Sequence, residues 1–359
     1  MLNEFSKKEA PIQGLTGLGG GVPSRLFSAA SGITVDQVFS ATLYTGNNDG
    51  AGAEETQTIT NDIDLSGEGG LVWLKKRVSG GNDQHFLYDT ERGATKYLRT
   101  ETSAAEGTGS DGLTQFNSDG FLLGGERNNY LNDTYISWTF RKCPKFFDIV
   151  TYTGDGTTNR NISHDLGSVP GMIIVKGRNF GSDPWYTYHR STGNQAELRL
   201  SETDYAVTGS SRWASFTPTS SYFRGDTAAI NVSDRTYVAY LFAHDEQEFG
   251  AGSDEAIIKC DEYTGTGSGD KAVNLGFEPQ FVMIKRTDSA GDWMVFDSAR
   301  GVVDGGTDAT LHWNENGSES DYNINAIKFT STGFTLEGSQ GAVNGSGGDY
   351  IYIAIRAES

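Results

Sequence analysis

A thirteen-residue stretch occurs twice in this chain, and a chain that repeats such a stretch is expected to fold into repeated units. The first copy, LGSVPGMIIVKGR, begins at Leu166, and the second, LGFEPQFVMIKRT, begins at Leu275, 109 residues later. In both copies a Gly/Pro turn leads into an apolar run that ends on a lysine. A fainter copy, LSGEGGLVWLKKR, begins at Leu65. Solenoid repeats run to about 20–50 residues, so this period indicates whole domains of about 100 residues.

Other landmarks recur in the same order around each apolar run. A YTG tripeptide precedes the run, starting at Tyr44, Tyr152 and Tyr263. An aromatic segment follows it as HFLYDTERG, WYTYHRSTG and WMVFDSARG, and the copies close on TYISWTF, TYVAYLF and DYIYIAI. We therefore predict a distinct N-terminal segment and three homologous units, with the boundaries 1–34, 35–144, 145–252 and 253–359.

The segments between turn clusters are short and rich in β-branched and aromatic residues, and 47 glycines against seven prolines supply many turns. Helical periodicity over ten or more residues is hard to find. We therefore predict an all-β protein of three tandem antiparallel β-sandwich domains, of jelly-roll type. The closing segment TYVAYLF is apolar on both faces, which predicts a central strand covered on both sides. The lysine at the end of each apolar run is expected to reach water.

Composition argues against several kinds of partner. With 28 Lys+Arg and 47 Asp+Glu, the net charge of −19 makes nucleic acid an unfavourable ligand. No apolar run approaches the roughly 20 residues of a membrane-spanning helix, and the N-terminus has charges where a signal peptide has its apolar centre. We expect no membrane insertion and no ordinary secretory export. Two cysteines, Cys143 and Cys260, are too few for a disulfide framework and are expected to be free thiols.

No motif in the sequence indicates catalysis or a bound cofactor. The five histidines show no metal-ligand spacing and no hydrolase context, and the glycine-rich segments lack the setting of a phosphate-binding loop. Acidic loops such as GNNDGAG, GDGTTN and GTGSGD could coordinate Ca²⁺ through carboxylates and carbonyls. Their spacing matches no calcium-loop rule, and turn residues are expected there in any case. We expect no metal, no cofactor and no enzymatic activity.

Aromatic residues are the better candidates for ligand binding. In a strand over residues 185–189, successive side chains point to opposite faces, so the aromatic rings cannot all face one core. An exposed ring beside a carboxylate can stack on a sugar and hold its hydroxyls. The alternative is that the recurring tryptophans are ordinary core residues. The candidate ligand-binding residues are Trp185, Tyr188, His189, Trp293 and Asp297.

The order YTGxG, LGxxPxxxxVKxR, WxxYH or WxxFD, and an aromatic closing strand resembles a repeat of tail-fibre-like virion proteins of marine bacteriophages, those of cyanobacterial and related hosts. The resemblance covers nearly everything from residue 35 onward and is weakest in the first unit, which lacks the proline and the tryptophan. It implies a concanavalin-like or jelly-roll sandwich displayed on a virion that assembles in the host cytoplasm. It implies no catalytic residues.

The resemblance leads us to expect a virion structural protein, a tail fibre or receptor-binding appendage that presents sandwich domains to host surface carbohydrate. A capsid decoration or head-fibre protein is the first alternative, and a glycan-processing accessory protein is the second. Appendages of this kind are often trimers, yet no heptads support a trimer here. Three tandem units could instead imitate threefold symmetry within one chain.

Residues 1–34 differ from the units in being glycine-rich and less acidic. So many glycines cost too much entropy to order alone, but such a segment can fold on a partner. We predict that it attaches the chain to other virion proteins, with a disordered tail as the alternative. The apolar residues expected to make this attachment are Leu15, Leu18, Leu26 and Phe27.

Overall fold

The computed structural model of the protein describes residues 32–50, 55–78, 83–125, 127–302, 307–321 and 326–358. These residues form 26 β-strands, with one 3-10 turn at Val35–Gln37 and one α-helical turn, α1, at Gly341–Asn344. Among them, no helix has the length and apolar character that crossing a bilayer requires. The predicted fold class, an all-β protein of tandem antiparallel sandwich units, is confirmed.

The first unit builds a main sheet in the order β1-β9-β3-β4 and a smaller sheet in the order β2-β8-β7, and β5 pairs with β6. Its strands β1 to β9 are Phe39–Thr45, Gln57–Thr60, Gly70–Lys76, His85–Asp89, Lys96–Tyr97, Gly107–Thr108, Leu113–Asn117, Gly120–Leu123 and Thr134–Arg141.

The second unit builds a main sheet in the order β10-β17-β12-β13-β14-β15, and β11 pairs with β16. Its strands β10 to β17 are Phe147–Thr153, Ile162–Ser163, Met172–Gly177, Tyr186–His189, Ala196–Arg199, Val207–Thr208, Tyr222–Phe223 and Thr236–Phe242.

The third unit builds a main sheet in the order β18-β26-β20-β21-β22-β23 and a smaller sheet in the order β19-β25-β24. Its strands β18 to β26 are Ile258–Thr264, Lys271–Asn274, Pro279–Arg286, Trp293–Asp297, Ala309–His312, Ser320–Asp321, Ile327–Thr330, Gly333–Leu336 and Asp349–Arg356.

The three main sheets share one topology. In each, the closing strand lies between the opening strand and the strand that carries the repeated apolar run. All these neighbours are antiparallel, as for Tyr44 opposite Tyr135 in the first unit, and the one register shift among them lies between Pro279 and Phe281. The strands of each sheet come from one unit only. The strand of the repeated run thus pairs with the closing strand, which is central in the sheet, as the two apolar faces of TYVAYLF predict.

The YTG tripeptide has a structural explanation in every unit. Its tyrosine stacks on the first tyrosine of the closing strand, with ring centroids 5.1, 5.0 and 5.0 Å apart in the three units. Its glycine lies against a backbone carbonyl, and a Cβ on Gly154 would be 2.1 Å from Val232 O. Only glycine, which has no Cβ, allows the two backbone segments to come this close. The motif therefore closes each sheet at the start of a loop.

Alternate residues of the central strands enter different cores. In β20, Phe281 and Met283 belong to one apolar cluster, whereas Val282 and Ile284 belong to another. The second of these clusters lies between the main and smaller sheets of the third unit, and the first unit has an equivalent one. In the first and third units the main sheet is therefore covered on one face by its own unit, whereas in the second unit Met172, Ile173, Ile174 and Val175 all belong to the large cluster.

The other face of every main sheet enters a single core that all three units build. The cluster that contains Phe281 also contains Trp138 and Phe140 of the first unit and Phe242 of the second. Ring centroids are 5.5 Å apart for Phe140 and Phe242 and 6.2 Å apart for Trp138 and Phe281. The three units therefore do not pack independently, because the inner faces of the three sheets cover one another.

The shared core gives the body two different ends. At one end, which we call the proximal end, the phenylalanines that begin opening strands and end closing strands meet, among them Phe39, Phe140, Phe147 and Phe242. The three YTG loops lie at the opposite ends of these strands, which we call the distal end. A seven-residue strand such as β18 separates the two ends by about 20 Å at about 3.3 Å per residue.

We expect the full chain to unfold in one cooperative transition, because each unit supplies a wall of the shared core. Denaturant curves followed by far-UV circular dichroism and by the fluorescence of the buried tryptophans should coincide. The fragment 145–252 alone should lack native near-UV circular dichroism, since its inner face would be exposed to water. Separate transitions for the units, or a native-like isolated fragment, would contradict the shared core.

Candidate functional site: the junctions between units

The five predicted ligand-binding residues are all buried. Trp185, His189, Trp293 and Asp297 have no exposed surface, and Tyr188 is 3% exposed. The expectation that their rings are exposed is wrong, and the alternative of core residues fits. The strand faces taken to be open to solvent are covered by neighbouring units. These side chains cannot stack on a sugar from solution, but they show how the units are joined.

Each unit extends one segment onto the next unit. We call 98–106, 198–206 and 311–319 the latch segments; their sequences are LRTETSAAE, LRLSETDYA and LHWNENGSE. The last residue of each latch segment donates a backbone hydrogen bond across a junction: Glu106 to Arg178 O at 2.8 Å, Ala206 to Thr287 O at 2.9 Å, and Glu319 to Arg77 O at 2.7 Å. The first unit thus holds the second, the second holds the third, and the third closes the ring onto the first.

The recurring tryptophan binds the backbone of the preceding latch segment. Trp185 Nε1 donates to Arg99 O at 3.0 Å, and Trp293 Nε1 donates to Arg199 O at 3.1 Å. In the first unit the same position is His85, whose Nε2 lies 2.9 Å from His312 O. The tryptophan recurs at a fixed place in the sequence because it satisfies the same neighbouring carbonyl each time.

Trp73 selects the tautomer of His85. Its Nε1–H donates to His85 Nδ1 at 2.9 Å, so Nε2 carries the hydrogen that reaches the third latch segment. Burial lowers the pKa of His85 well below its usual value. The first unit therefore replaces an indole donor by a neutral imidazole donor.

The lysine that ends each repeated apolar run is also a junction residue. Lys75, Lys176 and Lys285 have no exposed surface, so the expectation that they reach water is wrong. Each ammonium group donates to a carbonyl of the neighbouring latch segment, at 2.6 Å to Gly317 O from Lys75 and at 2.9 Å to Thr203 O from Lys285. Burial lowers the pKa of all three lysines to about 8. The sequence repeat identified the lysine, but it did not indicate that a carbonyl of the neighbouring latch segment accepts its hydrogen bond.

Buried ion pairs of the first and third units accept hydrogen bonds from side chains of other units. The buried Asp89 and Arg92 form an ion pair, and Tyr240 of the second unit donates its hydroxyl to Asp89 Oδ2 at 2.7 Å. The buried pair Asp297 and Arg300 is equivalent. These carboxylates anchor partners from other units, and their burial leaves them a structural role.

Asp297 is bound by the first unit: Trp138 Nε1 donates to Asp297 Oδ2 at 3.0 Å. In the second unit the equivalent position is His189, and the facing position in the third unit is Ile353, which offers no side-chain donor. His189 Nε2 instead lies 3.2 Å from Tyr352 O, to which it donates. The acid is replaced by a donor where only a backbone acceptor is available.

A group that could hold a metal ion lies at the junction of the third and first units. The nearest ligand atoms of Asp292, His312 and Glu315 lie within 4.8 Å of one another, and His312 Nδ1 is 3.1 Å from Glu315 Oε2. A metal on Nδ1 would place the proton on Nε2, which is buried and has no hydrogen-bond partner among the described residues. Metal-bound histidines normally donate that N–H. The geometry therefore favours a hydrogen bond from Nδ1 to Glu315.

The acidic loop of the second unit is held by internal hydrogen bonds. Asn231 Nδ2 donates to Asp155 Oδ1 at 3.0 Å and to Thr157 O at 2.9 Å. Asp155 Oδ1 also accepts from the backbone N–H of Thr157 at 2.9 Å. The buried asparagines Asn129 and Asn344 hold the loops of the other two units in the same way. The carboxylate of Asp155 thus stabilises a turn.

Both cysteines are buried free thiols, as predicted. Burial raises the pKa of Cys143 and of Cys260 above the usual value. A raised pKa keeps a thiol protonated and therefore unreactive.

A cleft of about 580 Å³ lies at the distal end, between the second and third units. Ala206 and Thr287, the pair that forms the backbone hydrogen bond of this junction, both line it. Tyr205, 56% exposed, forms part of the wall. The carboxylates in the wall are Glu262, Asp288 and Asp349. Sequence reasoning missed this site because its residues come from two units.

The fold and the junctions define an all-β protein whose three tandem sandwich units close into one body. The chain belongs to the family described as domain of unknown function DUF7483, whose model matches residues 35–359. That match begins at the first residue of the predicted first unit and includes all three units, so the family is defined on the whole body. A comparison with curated proteins found no match.

We expect Asp297→Ala to lower the free energy of unfolding by about 3–5 kcal/mol, because it removes the closer counter-charge of the buried Arg300 and leaves only Glu319, at 3.7 Å. The loss should appear in denaturant midpoints. Glu262→Ala removes an exposed carboxylate and should change stability little. A wild-type midpoint for Asp297→Ala would contradict the structural role of this pair.

Stability should also fall as the pH drops below about 6.5, partly through His189. Burial lowers the pKa of this residue to about 3. Its Nε2 donates to Tyr352 O, and its Nδ1 accepts from the Ser191 N–H. Between pH 3 and 6.5 the unfolded chain therefore binds a proton that the folded chain lacks, so stability rises with pH.

We expect His189→Gln to reduce this slope by up to one proton, about 1.4 kcal/mol per pH unit. The measurement is the free energy of unfolding between pH 5 and 6.5, where most carboxylates stay ionised. An unchanged slope in the variant would contradict a neutral buried histidine.

Proposed function

We propose that this chain is a non-enzymatic structural protein of a bacteriophage virion, a tail fibre or receptor-binding appendage. The observation that carries the proposal is the ring of three latch segments around one shared core. Such a ring makes one stiff body from three units, which suits a part that transmits force between a particle and a surface. The resemblance of the repeat to tail-fibre-like virion proteins supports the same reading.

The two ends of the body suit attachment at one end and contact at the other. Val35 and Asp36, at the start of the first unit, line a small cleft together with Arg356, Ala357 and Glu358. Both ends of the described chain therefore emerge at the proximal end. Attachment through residues 1–34 would leave the YTG loops and the larger cleft at the distal end, directed away from the particle.

One chain already supplies a threefold arrangement. The three latch contacts are equivalent, and each main sheet covers the next around the core. An appendage of this family therefore needs no second or third copy to present three similar faces. We propose that the folded body of one chain forms the outer part of the appendage, and that any trimer would be formed through residues 1–34.

The carboxylates of the distal cleft suit binding better than glycan hydrolysis. A glycosidase needs one carboxylic acid that stays protonated near neutral pH. Hydrogen bonds from Arg286 lower the pKa of Asp288 in this cleft, which keeps it ionised. Asp349 accepts a hydrogen bond from Thr264 and donates its backbone N–H to Asp288. These two residues serve as fixed acceptors, and the proposal includes no hydrolysis.

The attachment residues Leu15, Leu18, Leu26 and Phe27 lie outside the described residues, and their role stays a prediction. We expect a chain lacking residues 2–30 to fold into the same body, with native near-UV circular dichroism, but to be missing from purified particles. A label on the C-terminus of the full chain, seen by electron microscopy of intact virions, should lie on the tail.

Normal incorporation of the shortened chain would place the attachment in one of the three units instead. A label on the capsid would replace the tail appendage by a decoration or head-fibre protein. Absence of the full chain from purified virions would overturn the proposal.

A further inference from the structure

Two of the three junctions are closed by an ion pair, and the third is not. Arg178 lies 3.0 Å from Glu106, and Arg77 lies 2.8 Å from Glu319. The equivalent positions at the junction of the second and third units are Thr287 and Ala206, which form the same backbone hydrogen bond. These two short side chains line the distal cleft. The cleft is thus open where the other junctions carry an Arg–Glu pair.

A second difference at this junction adds an aromatic ring. The residue before Ala206 in its latch segment is Tyr205, whereas the other two latch segments have Ala105 and Ser318 there. Tyr205 is 56% exposed and lines the cleft. An exposed tyrosine presents a flat apolar face and a hydroxyl at low entropic cost. Three substitutions at one junction, two that remove side chains and one that adds a ring, therefore build one concave site.

The rest of the wall provides hydrogen-bonding groups. Hydroxyls come from Ser191, Thr192, Thr208 and Thr264, and acceptors come from the carboxylates of Glu262, Asp288 and Asp349. The volume of about 580 Å³ is within the range of about 300–1,000 Å³ that is typical of small-molecule sites. A ring face beside several hydroxyls and carboxylates matches a molecule with one apolar face and many hydroxyls, which is a sugar.

The charge of the wall selects among sugars. Three carboxylates line the cleft, and the chain as a whole carries a net charge of −19. Arg286 is engaged by Asp288 through two hydrogen bonds, at 2.8 and 3.1 Å. Uronic acids, sulfated sugars and phosphorylated ligands would therefore meet repulsion. A neutral saccharide would meet acceptors for its hydroxyl hydrogens.

We infer that the distal cleft between the second and third units binds a neutral saccharide, with one sugar ring stacked on Tyr205 and its hydroxyls held by the carboxylates. This inference deepens the proposed function and rests on its receptor-binding part. A single site of this kind is weak, and many copies on one particle would raise the avidity.

The test uses the full chain and a panel of neutral oligosaccharides of glucose, galactose and mannose, at up to millimolar concentration, by saturation-transfer NMR and titration calorimetry. We expect at least one neutral sugar to bind and Tyr205→Ala to weaken that binding at least tenfold. Val169→Ala, which trims an apolar residue that is 49% exposed and lies outside the cleft, should bind like wild type.

A double variant, Ala206→Glu with Thr287→Arg, restores the ion pair of the other two junctions and should abolish binding by filling the cleft. Its unfolding midpoint should be no lower than that of the wild type, which separates a blocked site from a misfolded one. The reverse double variant at the first junction, Glu106→Ala with Arg178→Thr, opens that junction without adding a tyrosine. It should create no second binding site.

Three results would overturn the inference: no binding of any neutral sugar in the panel, binding that survives both Tyr205→Ala and the filled cleft, or binding of anionic sugars or peptides alone. The proposed virion role is tested separately. Particles carrying the filled-cleft variant should assemble normally and adsorb poorly. Normal assembly with no sugar binding would overturn the inference and leave the virion role standing. Sugar binding by a chain that is missing from particles would overturn the virion role and leave the inference standing.

Discussion

The structure depends on one constraint: the inner face of each main sheet is apolar and must be covered by the other two units. Residues such as Phe140, Phe242 and Phe281 have no exposed surface or almost none. Each lies on the inner face of its sheet, and residues of the other units cover that face. Burial of apolar surface contributes roughly 25 cal/mol per Å², so an uncovered face would cost an isolated unit much of its stability. The three units are repeated in sequence but form one cooperative body.

Once the sheets cover one another, the polar groups at their edges must find partners in the neighbouring unit. Each latch segment brings backbone carbonyls to a buried lysine and to an indole or imidazole donor of the next unit, such as Lys176 and Trp185. A buried donor left without an acceptor would cost about 1–3 kcal/mol. The motifs that recur most clearly in the sequence are therefore the residues that satisfy these junctions.

The three junctions are similar but not identical, and one of them can change its side chains. Two junctions use an Arg–Glu pair whose side chains are 13–20% exposed. Removing both partners of such a pair together leaves no buried charge unpaired, and an unpaired buried charge is the costly case. Replacing the pair by Thr287 and Ala206 therefore costs little, because the backbone hydrogen bond and the buried lysine contact remain. A binding cleft can arise at one of three similar places without weakening the body, and a repeated architecture permits this kind of specialisation.

The sequence by itself determined the all-β class and the antiparallel strands, and it predicted three units, because turn residues, alternation and the spacing of the repeats are local signals. It also marked the closing strand as covered on both faces. It did not reveal that the second cover is another unit, so Lys285 was expected in water, and Trp185 was considered both as a sugar-binding ring and as a core residue. Only the tertiary structure decided that these residues join units and that the open cleft lies elsewhere, since contacts such as Trp138 with Asp297 link residues 159 positions apart.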